Sequence, residues 1–146
     1  MILEKGNMWD AFGKGVFMIT TNPIKRKDGA IVMGRGIALE TKTKFPSLPF
    51  DFGDMLDKHP SNVGYIGDYN GVRIYWFMVK DHWANNASLD IIKKSVEELN
   101  YLYGMTDERV DLNFPGIGNG KLDRAHVLPI LETLTDNIHV WEYANS

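Results

Sequence analysis

The sequence predicts an α/β layered fold in a single domain spanning 1–146, on three observations. Strand-like and helix-like segments alternate along the chain. The helical segments are long enough to cross over between parallel strands. Two strand-like runs joined by Asn70-Gly71 read as a tight hairpin, so the sheet is expected to be mixed.

Val16–Thr21 is the first strand, an apolar, β-branched run closed by the turn signal Asn22-Pro23. A helix follows over Gly36–Lys44, ending before Phe45-Pro46, and a shorter one over Phe50–Lys58, stopped by Pro60. Val63–Tyr69 and Val72–Val79 form the hairpin. Ser88–Tyr103 is the clearest helix. Ser88 reads as its N-cap, Leu89, Ile92, Val96, Leu99 and Tyr103 fall on one stripe, and Gly104 stops it. Val110–Phe114 is another strand. Asp123 caps a last helix running to Leu134, with Val127, Leu128, Leu131 and Leu134 inward, and Ile138–Tyr143 is the final strand.

Composition excludes several function classes. The chain has 146 residues, 44% hydrophobic and 24% charged, an ordinary balance for one packed domain. A formal net charge of -3 argues against a generic duplex-DNA binder but leaves room for a local basic cleft. With no cysteine, disulfides, zinc–thiolate sites and thiol catalysis are excluded. His59, His126 and His139 are scattered without metal-ligand spacing, so no metal and no cofactor is expected. No apolar run is long enough to span a bilayer, and Met1–Asp10 lacks the pattern of a secretory signal. The expectation is a soluble, cytoplasmic protein without a membrane partner; the oligomeric state is left open.

Four constellations could carry chemistry. Met33-Gly34-Arg35-Gly36-Ile37-Ala38 sits at a loop-to-helix junction, where glycines allow close backbone approach and free N–H groups favour an anion. It is neither a Walker loop nor a dinucleotide fingerprint. Pro115-Gly116-Ile117-Gly118-Asn119-Gly120-Lys121-Leu122 follows a strand and precedes a helix, where α/β sheets bind ligands. Alone, either loop can be a structural turn, the second more readily than the first; two in one small domain favour opposite sides of a pyrophosphate. Lys80, past the strongest strand, is either an anion-binding or nucleophilic amine or a solvated strand-end charge. His82 and Trp83 beside it read as a partly packed loop. Asn22, after Thr21, is either a turn residue or an amide for ribose hydroxyls.

Together these segments resemble the macro domain family, in order and over nearly the whole chain. Gly6-Asn7-Met8-Trp9-Asp10 is similar to its Gly-Asp-Ile/Leu element, and Thr21-Asn22-Pro23 to its strand-end Val-Asn-Pro. Val32 through Ala38, on to Lys44-Phe45-Pro46, is similar to Val-Met-Gly-Lys-Gly-Ile-Ala…Lys-Phe-Pro. Lys80-Asp81-His82-Trp83 resembles the branch containing DNA-ADP-ribosyl glycohydrolase antitoxins, and Gly116 to Asp123 resembles Gly-Cys-Gly-Asn-Gly-Gly-Leu-Asp.

The resemblance implies a three-layer α/β/α fold with ADP-ribose, free or on protein or nucleic acid, as the partner. It implies that Gly34 to Ile37 hold one side of the diphosphate and distal ribose, and Ile117 to Gly120 the other. Asn22 would contact the distal ribose, Lys80 would act at its anomeric carbon, and Trp141 or Tyr143 would face adenine. Three readings of activity follow: release of ADP-ribose from conjugates, removal of phosphate from ADP-ribose 1''-phosphate, or binding without turnover. The sequence departs from the family at Asn7, where an aspartate reads the adenine amine, at Ile117 for cysteine and Lys121 for glycine, and in a longer, basic stretch from Pro23 to Val32. Asn7 favours a fourth reading, a diverged scaffold for another phosphate compound.

Overall fold

The computed structural model describes residues 1–143. Six strands form one mixed sheet: β1 (Ile2–Lys5), β2 (Val16–Thr21), β3 (Val63–Tyr69), β4 (Val72–Met78), β5 (Val110–Asn113) and β6 (Ile138–Glu142). Their order is β1-β6-β5-β2-β4-β3, parallel throughout except for the β3–β4 hairpin. Four helices complete the chain: α1 (Gly36–Lys44), α2 (Leu48–Lys58), α3 (Leu89–Tyr103) and α4 (Arg124–Leu131).

Period-2 alternation builds the layers. On β2, Val16 and Met18 face a core made with Ile92, Val96 and Leu99 of α3 and Val127 and Leu131 of α4. Phe17 and Ile19 face the other core, with Ile37 and Ala38 of α1, Leu48 and Phe52 of α2, and the fully buried Trp76. The result is the expected α/β/α sandwich, with both faces of the central strands covered.

Local signals explain most boundaries. Ser88 Oγ accepts from Ile91 N at 3.3 Å and Asp123 Oδ1 accepts from Ala125 N at 3.0 Å, so both expected caps form. Asn70 (φ 51) and Gly71 (φ 79) make the hairpin turn. Helix α2 starts at Leu48 rather than Phe50, because Pro49 suits a first turn, which needs no proline N–H. Helix α4 ends at Leu131, short of Leu134. Strand β1 carries no sequence signal: its residues are mostly exposed, and it exists through parallel pairing with β6.

The basic stretch after β2 is a folded loop. Lys25 bridges Ile31, Arg26 pairs with Asp28, and Lys25 pairs with Asp57 of α2. It packs so closely on α2 that a Cβ at Gly53 would collide with the Gly29 carbonyl oxygen.

Candidate functional site

Strands β2, β4, β5 and β6 run parallel, so their carboxyl ends meet at one edge of the sheet. A cavity of about 850 Å³ opens there, near the upper end of roughly 300–1,000 Å³ for small-molecule sites. Gly34, Arg35, Gly36, Ile37 and Ala38 line one part; Gly116, Ile117, Gly118, Asn119 and Gly120 line another. The two loops approach closely: a Cβ at Gly36 would stand 3.7 Å from Asn119 Nδ2. Arg35 at the N-cap of α1 is extended (φ -148°) and makes no side-chain cap bond, so the first amides of the helix stay available to an anion.

Met8, Thr21, Asn22, Lys80, Trp141 and Tyr143 line the same cavity. Asn7, Met33, Pro115, Lys121 and Leu122 do not. Met33 is buried in the core beneath the first loop, Pro115 is buried, and Leu122 packs against the α3–α4 core. Asn7 Oδ1 accepts from Trp9 N at 3.0 Å, capping a 3-10 turn over Met8–Ala11. Lys121 is exposed and holds a left-handed backbone (φ 63°) that closes the Gly118–Gly120 turn. A left-handed conformation costs a non-glycine residue about 1–2 kcal/mol, partly offset by glycine's greater freedom when unfolded. Lys121→Gly is therefore expected to raise stability by about 0.5–1 kcal/mol in chemical denaturation; unchanged or lower stability would contradict this reading of the turn.

Asn22 is 6% exposed and works first as a brace. Its Nδ2 donates to Val32 O at 3.0 Å and its Oδ1 accepts from Ile24 N at 2.9 Å, tying the basic loop to the end of β2. One amide proton remains for a ligand hydroxyl.

Lys80 leaves the end of β4 half-buried. Its Nζ donates to Trp83 O at 3.3 Å and makes no ion pair among the described residues. Burial, then the Arg35 guanidinium, pushes its ammonium below the usual lysine value. Among the described residues Lys27, Arg35 and Lys80 line this cavity without an ion pair, and with the uncapped amides they call for a negatively charged occupant.

The far end is built from β6. Trp141 Nε1 donates to the fully buried Asp111 at 2.9 Å, and Arg109 also holds that carboxylate, so the indole is fixed in place. The Arg124 guanidinium grips Glu142 with two 2.8 Å bonds and, despite partial burial, holds its carboxyl below the usual range. Tyr143 Oη donates to Glu40 at 3.0 Å; burial, then this bond, raises its phenol pKa.

Several lining residues escaped sequence reasoning. Asn113 at the end of β5 clasps β2 by accepting from Thr20 N at 3.0 Å and donating to Thr20 Oγ1 at 2.6 Å. Trp83, half-exposed and stacked on His82 at 5.3 Å in a partly packed loop, also lines the cavity. Lys25, Arg26 and Lys27 also line it; their basic run was visible, but not its position. Among the described residues no cluster of three or more potential metal ligands occurs, and no helix is long and apolar enough to cross a membrane.

No protein-family model and no curated protein matches the chain. Solved structures do. The chain is similar to the macrodomain of Thermus aquaticus DarG, with TM-score 0.74, 24% identity, and 97% of this chain and 96% of that one covered. It is similar to the macrodomain of Mycobacterium tuberculosis DarG, with TM-score 0.72, 24% identity and coverage of 97% and 95%. Thermosipho africanus DarTG in complex with ADP-ribose aligns with TM-score 0.71 and 21% identity, over 95% of this chain but 40% of that one.

Proposed function

Because the chain has the macrodomain fold, we propose that it binds ADP-ribose and releases it from conjugates by hydrolysis. One observation carries this reading: two glycine loops and an amine with a lowered pKa share one cavity. The loops supply backbone N–H groups and Arg35 for the diphosphate. Trp141 and Tyr143 offer aromatic surface to adenine. The ADP-ribose in the Thermosipho africanus structure supports the ligand class.

In this reading the distal ribose lies against Asn22 and Lys80. The neutral Lys80 amine forms a bond to the anomeric carbon as the bond to the conjugated group breaks, and the departing group takes the proton that the amine gives up. Water then cleaves the carbon–nitrogen bond, returning the amine and freeing ADP-ribose. Burial and Arg35 make the neutral amine more abundant at a given pH.

The pH dependence follows with a definite sign. The rate should rise with pH as Lys80 loses its proton, with the midpoint below that of an ordinary lysine, then level off. Arg35→Ala removes the smaller of two causes, so the midpoint of kcat/KM should move upward but stay below the ordinary value. An unmoved midpoint would dissociate Arg35 from Lys80.

The direct test is calorimetric titration with ADP-ribose, followed by product analysis on ADP-ribosylated protein and oligonucleotide. Binding with turnover supports the hydrolase; binding without turnover selects a reader. Phosphate release from ADP-ribose 1''-phosphate alone selects the phosphatase. Absence of ADP-ribose binding, with binding of another phosphate compound, selects the diverged scaffold.

A further inference from the structure

A second, shallower cleft of about 840 Å³ lies between α2 and α3. Lys25 and Lys80 line both cavities, so the amine stands where the two meet. We propose that this second cleft seats the polypeptide from which ADP-ribose is released, with the modified side chain crossing Lys80 into the main cavity. The inference rests on the hydrolase reading and adds to it the place and class of the conjugated partner.

The cleft's charges select the class. It is lined by three lysines (Lys25, Lys80, Lys94) and three acids (Asp57, Asp81, Glu98). A polyanionic strand would meet as many carboxylates as ammonium groups and gain no net attraction. The acids are already engaged. Asp57 pairs with Lys25, Asp81 accepts from the Asn85 amide at 3.0 Å, and Glu98 accepts from the N–H groups of Asn62 and Val63 at 2.8 and 3.1 Å. Lys94 is exposed on α3 and forms no ion pair among the described residues. Beside it, Leu56, Pro60 and Ile91 offer an apolar strip. Lys94, which like the junction residue Lys80 makes no ion pair among the described residues, lies beside an apolar strip and suits an extended peptide with an acidic side chain near the modified residue and an apolar one further along. Such a pattern anchors a chain without demanding repeated negative charge.

The test uses ADP-ribose joined to an acidic peptide through a linkage that resists hydrolysis, so binding is read without turnover. Wild-type protein should bind this conjugate about tenfold more tightly than free ADP-ribose in calorimetry. Lys94→Glu and Pro60→Arg both change exposed residues. Each should keep wild-type affinity for free ADP-ribose, which also reports intact folding, and lose most of that tenfold gain. Equal affinity of wild-type protein for conjugate and free ADP-ribose overturns the inference. So does a gain that survives both substitutions, or a larger gain when the same linkage joins ADP-ribose to an oligonucleotide. Failure to bind free ADP-ribose removes the hydrolase reading and this inference with it; binding without the gain removes this inference alone.

Discussion

Lys80→Ala should lower the rate of ADP-ribose release about a thousandfold or more, a loss of about 4 kcal/mol in transition-state stabilisation. Free ADP-ribose should still bind within a few-fold of wild type. The asymmetry has a structural basis. The backbone amides of two loops and Arg35 remain to hold the diphosphate, whereas Lys80 sits where the distal ribose ends in the proposed pose. Lys80→Arg separates the two roles open to the amine. A guanidinium keeps the positive charge but stays protonated, so it can steady a leaving group and cannot form the covalent bond. Near-complete loss in both variants fits the covalent role. Substantial rate in Lys80→Arg fits an electrostatic one, and full rate in Lys80→Ala removes the lysine from the chemistry.

Gly53→Ala should cost about 2–3 kcal/mol of folding stability, although the residue is far in sequence from both glycine loops. The added methyl would collide with the Gly29 carbonyl oxygen and crowd the Lys25 side chain. Both obstacles belong to the basic loop that Asn22 braces and that lines the cavity with Lys25, Arg26 and Lys27. Backbone cannot step aside as a side-chain tip can, so the helix and loop must separate or the chain must strain. The substitution should therefore lower the denaturation midpoint and also weaken ADP-ribose binding. Wild-type stability would mean that α2 and the loop are not packed as described.

The fold class was legible because it rests on local pattern. Alternation in Val16–Thr21, the stripe of Leu89, Ile92, Val96, Leu99 and Tyr103, the Asn70-Gly71 turn and the Ser88 and Asp123 caps are properties of neighbouring residues. The glycine loops and Lys80 were legible as candidates because strand ends are where such residues meet ligands. Strand β1 was not, since its exposed residues are ordered by β6 rather than by their own pattern.

The sequence alone determined five of the six strands, the four helices, and which loops have a backbone able to surround an anion. Tertiary structure alone decided that Gly36 and Asn119 approach one another, that Lys80 borders two cavities, that Asn22 is first a brace, and that Asn113 and Trp83 belong to the wall. The reason is physical. Local conformation follows from interactions a few residues apart, whereas proximity between distant segments and the loss of water around an amine exist only once the sheet and both helical layers have closed.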